Sequence, residues 1–175
     1  MLVMIITICQ HGMQQPVCEP IRKRIPLKIE MKAVRKLRVH WPIASETFIR
    51  LADGEAEALK DEAGIVALLQ ALVESPALGD FGNYRHVFES SLGFEGFTCM
   101  EAANPTLGEA GQPTISPTFV FTTYFDAALD DADVELFVQH IVDIHPWEVP
   151  VIELTGPISV SNTALPAVFE SQAAS

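Results

Sequence analysis

An α+β sandwich, with two helices laid on one face of an antiparallel sheet, is the architecture that three features of this sequence predict. The run TFVFTTYFD (residues 118–126) alternates Phe119, Phe121, Thr123 and Phe125 against Val120, Thr122 and Tyr124, the period of two that a strand requires. Two other stretches, roughly 55–75 and 130–145, carry apolar residues at helical spacing. The elements follow one another as β-α-β(β)-β-α-β, and two βαβ halves in that order describe a ferredoxin-like sandwich.

The first strand lies in 31–43, where Val39, Trp41 and Ile43 share a face, and Pro42 predicts an edge position or an end there. The first helix is expected as one piece over 55–75. Leu59, Ala63, Val66, Leu69 and Val73 form its stripe, Asp53 is a candidate N-cap, and Pro76 and Gly79 end it. YRHVFESSLGFEGFTCMEAA (84–103) is β-prone and interrupted by Gly93 and Gly96, which suits a long bent strand or a hairpin. NPTLGEAGQPTISP (104–117) reads as loop, its glycines permitting turns of positive φ. In LDDADVELFVQHIVDIH (129–145), Asp130 or Asp131 caps a second helix whose stripe is Val134, Phe137, Val138 and Ile141. Pro146 stops that helix, because proline disfavours helical geometry at His145 before it. WEVPVIELTG is the last strand, and the chain from Pro157 is expected to pack weakly.

Length and hydrophobic content fit one domain, 31–160, between a flexible N-terminal extension (1–30) and a C-terminal tail (161–175). Charge divides unevenly: residues 1–50 hold nine of the eleven Lys and Arg, whereas 51–175 hold twenty acids and two bases. An acidic surface repels phosphate backbones, so nucleic-acid binding by 51–175 is not expected. The basic stretch 21–38 reads either as a site for an anionic partner or as an extension leading into an edge strand with solvated Lys and Arg. Cys9, Cys18 and Cys99 form neither a disulfide framework nor a zinc pattern, which fits a reducing cytoplasm. MLVMIITICQ is too short to span a bilayer, and no membrane association is expected.

Three blocks, GNYRHVFESSLGFEGF, ANPTLGEAG and HPWEVPVIEL, stand in the order and near the spacing of a known pattern. Together they resemble the YqfO-like domain of the NGG-interacting-factor family, whose pattern runs G-x-Y, a phenylalanine-bearing strand, G-x-N-P-x-x-G-x-x-G and H-P-Y-E. The last block is also similar to the closing strand of the CutA divalent-cation-tolerance proteins. Trp147 stands where both carry Tyr. The resemblance covers about 31–160 and implies a PII/CutA-like fold and a homo-oligomer, with a trimer favoured. It includes no counterpart of the two-metal domain of full-length NGG-interacting-factor proteins.

His145 and Glu148 admit two readings. An imidazole and a carboxylate three residues apart can share a divalent metal, the one cofactor this sequence suggests. Alternatively His145 closes the helix end, Trp147 seals a subunit interface and Glu148 accepts backbone hydrogen bonds. His86 and Glu89, placed on the second strand, could contribute from a neighbouring subunit, although i and i+3 on a strand face opposite ways. His140 reads as helix surface, and Cys99 as a small packed residue. A small-molecule pocket between subunits would be lined by Asn83, Tyr84, Asn104 and Trp147. With no G-x-S-x-G, H-E-x-x-H or nucleophile triad, the expectation is a non-catalytic binding or regulatory protein. The alternatives are an interaction module that acts through a protein partner without a ligand, and a metal-dependent hydrolase using the acidic residues.

Overall fold

The central strand of the sheet is the most basic one. In the computed structural model, which describes residues 29–161, β1 (Met31–Pro42) lies between β3 (Pro113–Asp126) and the closing strands β4 (Ile152–Leu154) and β5 (Ile158–Ser161). β2 (Phe88–Thr98) flanks β3, giving the order β2-β3-β1-β4 with every pairing antiparallel. That is the ferredoxin-like α+β arrangement, as the element order predicts. Of the two positions that Pro42 predicts, the strand end is the one found: β1 stops at Pro42, while partners on both sides keep it from the edge of the sheet. Three of its four Lys and Arg are paired: Lys32 with Asp126 (3.6 Å), Arg35 with Asp131 (3.1 Å) and Arg38 with Glu153 (3.6 Å). The charge asymmetry of the sequence is thus partly an internal match, in which a basic strand is answered by acids from β3, the last helix and β4.

The single helix expected over 55–75 is broken. α1 (Ser45–Ala52), a 3-10 segment (Ala56–Asp61) and α2 (Ala63–Glu74) replace it. Gly54 turns the chain at φ 92°, and Glu62 is extended at φ −94°, ψ 100° before α2 begins. Asp53 stands at the C-terminal cap of α1 rather than at an N-cap. Arg50 staples the break, reaching Glu55 at 3.0 Å and Asp61 at 2.7 Å, while Glu62 accepts the Ala44 N–H at 2.9 Å. The expected stripe is also rotated. Ile65, Leu68 and Leu72 are buried, whereas Val66 and Val73 are exposed. AGIVALLQALV is apolar on every side, so spacing alone does not select the inward face.

α3 (Asp131–Ile144) forms as expected. Asp130 accepts the Ala132 N–H at 2.9 Å, and Val134, Phe137 and Ile141 are buried with Val138 packed beside them. Leu37, Val39 and Trp41 of β1 and Phe119, Phe121 and Phe125 of β3 complete the core beneath α2 and α3. Phe125 meets Phe137 edge-on at 5.2 Å, and Phe88 stacks on Phe121 at 5.4 Å. Among the described residues no helix is long and apolar enough to cross a membrane.

Two strand boundaries differ from expectation. β3 starts at Pro113, inside the run read as loop, and Pro117 sits within it. Pro117 is tolerated because its carbonyl accepts the Ile43 N–H (3.1 Å) just past the end of β1, so its missing N–H falls where the ladder has stopped. The last strand is shorter than WEVPVIELTG and resumes later. Between β4 and β5 the register against β1 slips by one residue, from Leu37↔Leu154 to Val34↔Ile158. Thr155 holds this bulge, donating its N–H to the Lys36 carbonyl and accepting the Lys36 N–H on its hydroxyl, both at 3.0 Å. Ile158–Ser161 therefore pair with β1 instead of packing weakly. The remaining tail and the N-terminal extension to residue 28, with Cys9, Cys18 and residues 21–28 of the basic stretch, lie outside the described residues.

Candidate ligand pocket

β2 and β3 continue as a two-stranded ribbon beyond the Pro42↔Thr118 pair that ends β1. The 99–112 loop closes this ribbon and folds back over it. Gly108 (φ 96°) and Gly111 (φ 75°) supply the positive-φ turns expected there. A Cβ on Gly108 would lie 2.8 Å from the Thr114 hydroxyl and 3.2 Å from Cys99 Sγ, so the loop also needs glycine for close approach. The opposite wall is the segment that follows α3. Two contacts clamp the walls: Glu148 Oε2 accepts the Asn104 N–H at 3.0 Å, and the Thr106 hydroxyl donates to the Pro146 carbonyl at 2.6 Å. Between them lies a pocket of about 420 Å³ walled by Phe97, Cys99, Met100, Leu107, Trp147, Val149 and Val151, with Glu95 and Glu148 at its border.

His145 is the post on which this wall stands. It ends α3 in extended geometry (φ −72°, ψ 136°), as proline at 146 requires, and is only 8% exposed. Its Nδ1 accepts the Trp147 N–H at 3.0 Å, which leaves the proton on Nε2 to donate to the His40 carbonyl at 2.9 Å. His40 N–H pairs with the Val151 carbonyl at 3.1 Å, so the imidazole takes over the ladder on β1 where β4 gives out. The ring also meets Trp41 edge-on at 4.6 Å. Burial lowers the His145 pKa from 6.5, against smaller opposing effects of the His40 and Trp147 backbone and the Glu95 charge.

Both ring nitrogens of His145 are thus engaged within the fold, and neither lone pair is available to a metal. His145 and Glu148, expected as a metal pair, are each turned to other partners here: the imidazole to His40 and Trp147, the carboxylate to the Asn104 N–H. Among the described residues, no group of three or more His, Cys, Asp or Glu is placed to hold a metal ion.

The four expected ligand residues separate into two pairs. Trp147 lines the pocket, edge-on to Phe97 at 5.4 Å, and Asn104 is tied to the residue after it by the N–H it gives to Glu148. Asn83 and Tyr84 belong to the loop before β2, fixed through Gly79 N–H to the Tyr124 carbonyl at 2.7 Å, and Tyr84 is 74% exposed. Eleven residues of β2 lie between the pairs, roughly 35 Å of extended chain, so a single chain does not join them. His86 precedes β2 at φ 56° and is not a strand residue, while Glu89 accepts from the Tyr124 hydroxyl at 3.3 Å. Burial, followed by the Glu89 charge, raises the Tyr124 pKa. His140 is on the exposed surface of α3, and Cys99 is buried.

Sequence reasoning missed a polar cluster on the sheet face away from the helices. Glu95 from β2 lies 3.2 Å from His40 Nδ1, Glu153 from β4 lies 3.5 Å from His40 Nε2, and Arg38 reaches Glu153. Alternation on β1 was the available signal: Leu37, Val39 and Trp41 face the helices, so Arg38 and His40 face away. Nothing in the spacing of Glu95 and Glu153 indicates that the sheet brings them to His40.

No protein-family model matches the chain, and no curated protein does. Among solved structures, the chain is similar to a Bacillus cereus protein related to NIF3, with 18% identity over 75% of this chain and a TM-score of 0.46. The match spans 27% of that protein's length.

Proposed function

We propose that this protein is a non-catalytic binding module that holds a small, largely apolar ligand in the pocket between the β2–β3 ribbon and the Pro146–Val151 wall. One observation carries the reading: a concave apolar space of about 420 Å³ whose two walls are locked together by hydrogen bonds from the Asn104 N–H to Glu148 and from the Thr106 hydroxyl to the Pro146 carbonyl. Its size is within the range of small-molecule sites, and its few polar groups at the border suit orientation of a ligand. Trp147 is the anchor. The pocket reading predicts that small aromatic compounds raise the unfolding temperature saturably, with or without EDTA, and that Trp147→Ala removes the effect. Absence of stabilisation across a varied fragment set would contradict it.

A second reading follows from the outer face of the ribbon, where Phe94 is 64% and Ile115 72% exposed. Side chains of that size on a projecting ribbon suit contact with another chain. Self-association, as the trimer implied by the likeness to YqfO and CutA proteins, would cover them. In that case Phe94→Ser with Ile115→Ser lowers the mass found by light scattering, while ligand stabilisation is unaffected.

A further inference from the structure

We infer that the pocket selects an organic cation, an ammonium group carried on an aromatic or aliphatic body. The inference rests on the pocket being a ligand site and adds the charge of what it takes. Glu95 and Glu148 are the charged side chains at the pocket, and no Lys, Arg or His lines it. An anion entering there would meet two carboxylates, with no cationic side chain in the lining to balance it. Glu95 is most of the way to being buried, and its Oε2 has no hydrogen-bond donor. Its charge is therefore incompletely compensated by His40 on the other oxygen. In a poorly solvated wall such a charge acts on the pocket over several ångströms, and a positive group in the pocket supplies the balance. The remaining wall favours the same ligand. Trp147 and Phe97 lie edge-on to each other at 5.4 Å, and aromatic faces beside a carboxylate are the surroundings in which ammonium groups bind well. The apolar body of the ligand would rest on Met100, Leu107 and Val151.

Phenethylammonium, 2-phenylethanol and 3-phenylpropionate share a body and differ in charge, so they test the inference directly. Titrations of the full chain are followed by amide shifts in a ¹H–¹⁵N spectrum, reading Phe97 to Met100, Leu107 and Trp147 to Val151. The cation should bind about tenfold more tightly than the alcohol, and the anion more weakly than both. Glu148→Gln keeps an oxygen to accept the Asn104 N–H and removes the charge. It should weaken the cation severalfold more than it weakens the alcohol. Equal affinity for alcohol and cation, or tighter binding of the anion, overturns the charge preference while leaving the pocket in place. Failure of all three compounds to move those amides overturns the pocket reading and this inference with it.

Discussion

Replacing His145 by alanine tests whether this residue is a structural post or a ligand held in reserve. The substitution removes the donor to the His40 carbonyl and the acceptor of the Trp147 N–H, at 2.9 and 3.0 Å, and the edge contact with Trp41. A net loss of about 1 kcal/mol per hydrogen bond, with more where the stranded partner stays buried, gives about 2 kcal/mol. The space left by a ring that is 8% exposed adds about 1–2 kcal/mol, for a total of about 3–4 kcal/mol. Urea unfolding in EDTA should show this as a lower midpoint at unchanged slope, which marks a change in stability and not in the unfolded state. The Trp147 amide should also lose protection from hydrogen exchange. A loss below about 1 kcal/mol, or one that appears only when a divalent metal is present, would refute the structural assignment.

The same residue sets a pH dependence. Its folded pKa lies below the unfolded value of 6.5, so the unfolded chain binds the extra proton first and stability falls as pH drops below that value. The urea midpoint should therefore decline as pH falls through about 6.5, and this part of the decline should vanish in His145→Gln. Gly64→Ala pits two effects against each other. Alanine is the better helix former by about 1 kcal/mol, less in a first turn, but its Cβ would stand 2.6 Å from Nε1 of the buried Trp41, and overpacking costs about 1–3 kcal/mol. Packing should win, lowering the unfolding temperature, and a rise would show that Trp41 yields. Thr155→Val removes the acceptor of the Lys36 N–H at the bulge, costing about 1 kcal/mol, and the Lys36 amide should exchange faster while that of His40 does not.

The parts of the fold that were legible in the sequence are those where one residue type has one physical solution. Phe119, Phe121 and Phe125 alternate because β3 buries one face, and Asp130 and Pro146 bracket α3 because a carboxylate caps and a proline breaks. The first helix was misread because Ile65 to Val73 is apolar all round, and because the break at Gly54 and Glu62 is secured by Arg50, whose partners are chosen in three dimensions. The closing strand was cut short by reading Pro157 as an end. The Thr155 bulge absorbs that proline and lets pairing resume. For the site, HPWE and ANP were visible as blocks, and they do meet, through Glu148 and Asn104. The role of His145 was hidden because the carbonyl it serves is 105 residues away, on β1. Asn83 and Tyr84 were grouped with Asn104 and Trp147 at a cleft between subunits, and within one chain the length of β2 parts them.

The central proposal is that the wall built on His145 encloses a ligand pocket, with His145 as its structural post. It is tested most directly by a ¹H–¹⁵N spectrum of the protein in EDTA, titrated first with a small aromatic fragment set and then with Zn(II). The account predicts saturable shifts confined to Phe97 to Met100, Leu107 and Trp147 to Val151 with fragments, and no metal-dependent change at His145. Binding that requires added metal, or fragment shifts that cluster away from Trp147, would contradict it.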